Sequence, residues 1–274
     1  MKSTVVLLSS LLGASALATR NTSPELSLSL GDEQQPLAKH YNDVWLIGTR
    51  FHPHYDPHFA SRPLPDAEQN DAVRVLIQTC LATLSDLGVE AWLMHGSLLG
   101  WWWGQRVLPW DSDADIQISE NGLSFLAAYY NMTMFFYQYS GVPEGRRFRL
   151  QVNPHYKDAT IDPDNAVDAR WIDMQTGLYV DITGLRHMTN ADGSPAKMLH
   201  DKSGDVYAEN SIFPLRETMF EGVHAFIPYS FKDVIANKYG DKALTDTEFN
   251  DHVFNEKIMQ WEPKTTIKEA QVEL

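Results

Sequence analysis

The sequence predicts an α+β fold, a mixed sheet flanked by helices, and three stretches carry that expectation. Residues 66–87 place apolar side chains at helical spacing, residues 89–94 form a short apolar run, and residues 113–119 alternate acidic or polar with apolar side chains. The order is therefore helix, buried strand, helix, acidic strand.

Each element has its own justification. Lys2, the apolar run from Val5 to Leu17 and the small-x-small triplet Ala16-Leu17-Ala18 predict a secretory signal peptide over residues 1–18. That run is shorter than the ~20 apolar residues that span a bilayer. Residues 19–65 are rich in Ser, Pro, His and Asp without periodicity and predict an N-terminal arm. Within it, His52, His54 and His58 stand between prolines with no cysteine nearby, which favours polar surface or packing over a zinc site. The folded domain is expected over residues 66–260. Asp66 suits an N-cap with Gln69 three places on, and Val73, Leu76, Ile77, Cys80, Leu81, Leu84 and Leu87 point inward until Gly88 stops the helix.

Val89 to Met94 is predicted as a buried strand, Gly96-Ser97 as a turn, and Leu98 to Trp103 as the first turns of a helix. Its three consecutive tryptophans cover nearly all sides, so at least one should be half exposed. A strand over Asp113 to Ser119, a helix over Leu123 to Tyr130 and an aromatic strand over Thr133 to Tyr139 follow. The prolines, glycines and mixed charge of residues 141–168 predict an insertion or a long active-site loop. Leu178 to Thr183 is a short buried strand carrying Asp181, and Ser230 to Tyr239 a capped amphipathic helix ending at Gly240. Residues 261–274 are expected to be a loosely held tail.

A formal net charge of −14 argues against nucleic acid or an anionic membrane surface as the main partner. A nucleotide is also an anion, so its binding would need metal ions and a few placed cations. The single Cys80 excludes an intrachain disulfide. Two sequons, at Asn21 and Asn131, and the absence of a second long apolar stretch predict a glycoprotein with no membrane span in the mature chain. It would be secreted or held in the secretory-pathway lumen, as in the Golgi.

The segment from His95 to Ser119 concentrates the chemistry. On a strand, Asp113 and Asp115 share one face while Ala114, Ile116 and Ile118 face the core. Two carboxylates that close repel, and a hard divalent cation such as Mg²⁺ or Mn²⁺ is the usual counter-charge. Gly96 and Ser97, at a helix start, would let backbone N–H groups reach a phosphate. Arg106 is a candidate phosphate clamp, and Arg146, Arg147 and Arg149 are either further clamps or a solvated basic face. Asp111 is either a further metal ligand or a loop cap, and His95 either meets a phosphate or holds the turn.

His95-Gly96-Ser97-Leu98-Leu99-Gly100 followed by Pro109-Trp110-Asp111-Ser112-Asp113-Ala114-Asp115 resembles the LicD family of phosphotransferases, whose pattern is HG[ST]LLG and then PWDxDxD. The likeness continues through residues 170–185, 213–228 and 238–245. It is nearest to the fungal branch required for mannosylphosphate transfer, on RPLP (62–65), YYNMT (129–133), VNP (152–154) and VDAR (167–170). Ser112 departs from the additional Asp of bacterial members. The resemblance implies a nucleotidyltransferase-like core of the polymerase β type, with Asp113, Asp115 and Asp181 catalytic and metal-binding and Asp111 beside them. Gly96, Ser97 and Arg106 would bind substrate.

It implies transfer of mannose phosphate from GDP-mannose, a nucleotide-sugar donor, to a glycan or glycoprotein hydroxyl. Two other readings stay open: a DxD glycosyltransferase, which breaks the sugar C–O bond, and a non-catalytic accessory subunit of a partner transferase.

Overall fold

The structure, a computed structural model, describes residues 54–158, 160–161 and 165–265, together with the backbone of two short strands, Val6–Leu7 (β1) and Leu26–Ser29 (β2). The rest of the expected signal peptide, the rest of the arm up to residue 53 with Asn21 and His52, and the tail beyond 265 lie outside the described residues. Among the described residues, no helix is long and apolar enough to cross a membrane.

The chain continues through helix α1 (Asp66–Asp86), β3 (Ala91–Leu93), α2 (His95–Gly104), β4 (Ala114–Ser119) and α3 (Glu120–Tyr129). Next come β5 (Met134–Tyr139), β6 (Val142–Val152), β7 (Ala169–Asp173), β8 (Tyr179–Thr189), β9 (Pro195–His200) and β10 (Val206–Ala208). A short helix α4 (Glu209–Ile212), the hairpin β11 (Arg216–Phe220) and β12 (Val223–Ile227), α5 (Phe231–Tyr239) and a 3₁₀ turn (Asp241–Leu244) lead to β13 (Glu248–Phe249), β14 (His252–Asn255) and β15 (Gln260–Pro263). The fold is the expected α+β arrangement. Its main sheet runs β1-β2-β5-β6-β7-β8-β4-β3, with β4 parallel to β8 and β9 extending from β8.

Helix α1 forms because Val73, Leu76, Ile77, Cys80, Leu81 and Leu84 make one continuous buried stripe. It begins one residue earlier than an Asp66 cap would place it, with Pro65 at the cap position. Proline there sacrifices nothing, since a first-turn N–H has no partner inside a helix. The helix ends where Gly88 takes the left-handed φ of +71° and its N–H bonds the Ser85 carbonyl. The stripe packs on the sheet: Trp171 donates its indole N–H to Thr79 Oγ1 at 3.0 Å and stacks on Phe148 with 5.5 Å between centroids. Each buried aromatic ring of this kind hides roughly 150–250 Å² and contributes a few kcal/mol.

One expectation is corrected here. Residues 142–152 are not loop but strand β6, paired with β5 and β7 over most of its length. Phe148, Leu150 and Val152 alternate inward, while Pro143 and Gly145 sit in the half next to the β5–β6 turn and disguised the pattern. The three tryptophans of α2 are each partly exposed, in keeping with the expectation that at least one would be. Their indole N–H groups donate to Thr218 Oγ1, the Leu244 carbonyl and the Ala243 carbonyl, at 2.8, 3.1 and 2.9 Å, and so pin α2 to β11 and the 3₁₀ turn.

Order also extends past both expected edges. Tyr55 is in the core at 1% exposure, and Trp261, on β15, packs against Trp103 and Trp110.

Candidate active site

Strand pairing assembles the site. Asp115 and Asp181 are register partners on the parallel strands β4 and β8, and Arg170 is the partner of Asp181 on antiparallel β7. Period-two geometry puts Asp115, Asp181 and Arg170 on the sheet face opposite to Trp171, which packs on α1. Asp113 sits just before β4, and Asp111 two residues earlier on the connecting loop.

Helix α2 reaches this row end-on. Its first residue, His95, adopts a left-handed φ of +48°, an uncommon conformation for a residue with a Cβ. The helix start then lies against the acidic strand: the Gly96 N–H bonds the Asp115 carboxylate, and Ser97 Oγ accepts the Asp115 backbone N–H at 2.9 Å. A Cβ on Gly96 would lie 2.8 Å from Asp111 Oδ2, so only glycine fits here without moving Asp111.

The carboxylates raise one another's pKa. Burial, then the charge of Asp113, pushes Asp111 up to about 7. Burial and the neighbouring carboxylates hold Asp115 well above the ordinary range, against the Gly96 N–H. Burial also lifts Asp181 to about 6, with His54 and Arg170 pulling the other way and Asp113 adding to the rise. Asp181 Oδ1 is fully buried without a hydrogen-bond partner. Crowded carboxylates with an unused buried oxygen have the donor chemistry a hard divalent cation takes, and the residues present fit one.

The structure thus brings Asp111, Asp113, Asp115 and Asp181 together, with Gly96 and Ser97 against them. It does not bring Arg106. That residue lies beyond the C-terminal end of α2, ten residues from Gly96, where it faces Glu221 and lines a cavity with Arg74 and Trp103. The cation beside Asp181 is Arg170, which bonds Gln151 at 2.6 Å and Asp56 at 3.1 Å. Arg146 pairs with Asp173 at 3.0 Å and Arg149 stands over the Phe59 ring.

His54, which the sequence favoured as polar surface or packing, and His95, read as meeting a phosphate or holding the turn, complete the surroundings with Asp201, Asp205 and Lys238, which had no predicted role. His54 Nδ1 lies 3.0 Å from Asp113 Oδ2 and 3.7 Å from Asp181 Oδ2. His95 groups with Asp201 and Asp205, and burial followed by the Lys238 charge draws its pKa down. Lys238 in turn bonds Asp205 at 2.6 Å, and burial, followed by the charges of Asp115, Asp111 and Asp113, raises the neighbouring Tyr239. The one available signal was the KYGD stretch on α5, which carried the family resemblance without a role.

Asp168, by contrast, is structural. It is fully buried and accepts the Gly184 N–H at 2.7 Å, Arg186 at 3.0 Å and Lys202 at 3.2 Å.

Residues 88–230 match the family described as LicD/FKTN/FKRP, nucleotidyltransferase domain. Two relatives from Saccharomyces cerevisiae are similar over a shorter stretch. Mannosyltransferase regulator 4 is 35% identical over 105 residues, 36% of this chain and 8% of the relative. Mannosyltransferase regulator 14 is 35% identical over 106 residues, 38% of this chain and 11% of the relative. The match thus spans about a tenth of each curated relative.

Proposed function

The chain belongs to the LicD/FKTN/FKRP nucleotidyltransferase family, and from that premise we propose that it transfers a sugar phosphate, mannose phosphate from GDP-mannose, onto a glycan hydroxyl in the secretory-pathway lumen. Family membership and the two relatives support a role in glycan modification. The observation that carries the catalytic reading is the pairing of Asp115 with Asp181 across β4 and β8, with Asp113 and Asp111 at the strand's mouth.

Asp113, Asp115 and Asp181, with Asp111 beside them, would hold Mg²⁺ or Mn²⁺, which supplies charge neutralisation and polarisation of the donor phosphates when bound. The chain's own groups do the rest. The N-terminal turn of α2, with Gly96 and Ser97, offers the positive end of a helix dipole to an anionic donor. Arg170 provides fixed positive charge beside Asp181 and, being clamped by Asp56 and Gln151, needs no reordering to do so. Asp181, where it is not itself bound to the metal, is placed to take the acceptor's hydroxyl proton. The acceptor oxygen would attack the sugar-side phosphorus, forming a P–O bond to the glycan and releasing nucleoside monophosphate.

A second reading has its own support: both relatives carry the name regulator. In it the same site binds nucleotide without turnover and the chain acts on a partner transferase. Incubating purified protein with a panel of sugar nucleotides and glycan acceptors, with and without a partner fraction, separates the two by mass spectrometry. Phosphorylated glycan formed by the chain alone supports catalysis. Product that needs the partner fraction and survives Asp113→Asn supports the regulator.

A further inference from the structure

The segment 54–60 crosses the polar face of the sheet as a fixed strap. Tyr55 is buried, forms an antiparallel bridge with Leu178 and accepts the Leu64 N–H on its hydroxyl at 3.0 Å. Asp56, 2% exposed, donates its N–H to the Gly177 carbonyl at 2.7 Å and pairs with Arg170 at 3.1 Å. Gly177 is left-handed, with φ +80°, and a Cβ there would fall 2.6 Å from Ala60 Cβ, so the strap lies hard against the β7–β8 turn. These contacts leave His54 little freedom. Its ring stacks on Tyr179 with 6.0 Å between centroids, and Nδ1 is delivered to the two carboxylates.

We infer that His54 is a ligand of the cation site, a nitrogen donor that converts the carboxylate set into a mixed nitrogen–oxygen site. The inference rests on the cation-binding part of the function proposed above. Nδ1 stands 3.0 and 3.7 Å from oxygens of Asp113 and Asp181, and all three ligand atoms lie within 4.8 Å of one another. Ligands bonded at about 2.1 Å around one ion are separated by about 3.0 Å at right angles and about 3.4 Å in a tetrahedron. The observed edges bracket those separations. Asp181 Oδ1, the other oxygen of the same carboxylate, is buried without a hydrogen-bond partner and leaves this side chain a further lone pair for an ion.

The chemical consequence concerns which metal is held. Mg²⁺ prefers an all-oxygen shell and gives up water reluctantly, whereas imidazole favours later first-row ions. A site with His54 should therefore discriminate against Mg²⁺ in favour of Mn²⁺. His54 precedes the family-matched residues 88–230, so this ligand would belong to the chain's own N-terminal strap.

The test uses the full chain, Mn²⁺ and no nucleotide. Electron spin-echo modulation of Mn²⁺-loaded protein should contain a directly bound ¹⁴N coupling that disappears in His54→Ala. Calorimetry should find Mn²⁺ binding weakened about tenfold or more in that variant, with Mg²⁺ binding changed much less. His54→Gln, which keeps polarity and bulk, should lose the ¹⁴N signal in the same way. Absence of ¹⁴N coupling in the wild type, or its persistence in His54→Ala, overturns the inference. Asp113→Asn separates this from the parent reading: if Asp113→Asn abolishes Mn²⁺ binding while His54→Ala leaves it intact, only the histidine ligand is refuted. If the wild type binds no Mn²⁺, both fail.

Discussion

Replacing Asp111 with Asn should flatten the pH dependence of folding stability above the acid range. In the folded chain, burial and Asp113 push this carboxyl from 3.8 to about 7. Between those values the native state keeps a proton that the unfolded chain has released. The stability tied to Asp111 is thus fully present below about pH 4 and is lost as pH rises through about 7. About three pH units at 1.36 kcal/mol each set a ceiling of about 4 kcal/mol. If the loop carrying Asp111 rearranges toward water at high pH, about 2 kcal/mol is the working expectation.

The assay is urea unfolding in chelator at pH 5 and pH 8 for both proteins. The wild type should lose more stability between the two pH values than Asp111→Asn, by about that amount. Asp115 and Asp181 titrate in both proteins, and because the Asp111 charge also raises Asp115, the difference reports Asp111 together with its coupling to Asp115. Equal losses would refute the claim that Asp111 is held protonated by its surroundings.

Asp113→Asn and Asp115→Asn should each abolish transfer while the circular dichroism spectrum and the cooperative melt are kept; wild-type turnover in metal-containing buffer would remove these residues from the catalytic assignment. Gly96→Val places its Cβ against Asp111 Oδ2, at 2.8 Å before relaxation, and should cost donor affinity measured by calorimetry. Unchanged affinity with the fold intact would count against α2 as the donor seat. Asp168→Ala strips the partner from Arg186, Lys202 and the Gly184 N–H, and should cost about 3–5 kcal/mol in urea unfolding. A loss under 1 kcal/mol or so would mean that the buried network contributes little.

Much of the local structure was legible because period and composition agreed. The stripe from Val73 to Leu84, the acid–apolar alternation of 113–119 and the Ser119-capped α3 required only neighbours along the chain. Strand β6 was missed because residues 143–147, PEGRR, carry proline, glycine and charge in its first half, where only Arg146 and Arg147 pair with β5, and pairing with β7 begins at Phe148.

The site divided along the same line. Asp113 and Asp115 sit on one short segment and declare themselves, whereas Arg170 reaches Asp181 through cross-strand register that no local pattern encodes. His54 was weighed as polar surface or packing because its stretch carries two prolines and no cysteine nearby. Its position is set by Tyr55 and Asp56 reaching residues more than a hundred places downstream.

The central claim is that this arrangement of carboxylates directs attack at phosphorus, and isotopic tracing of the donor tests it most directly. Sugar nucleotide labelled at the phosphorus next to the sugar is incubated with glycan acceptor and the full chain, alongside Asp115→Asn as control. The account predicts label in the glycan and unlabelled nucleoside monophosphate, both absent in the control. Label confined to nucleoside diphosphate with sugar on the glycan, or label in the glycan at the same rate with Asp115→Asn, would contradict it.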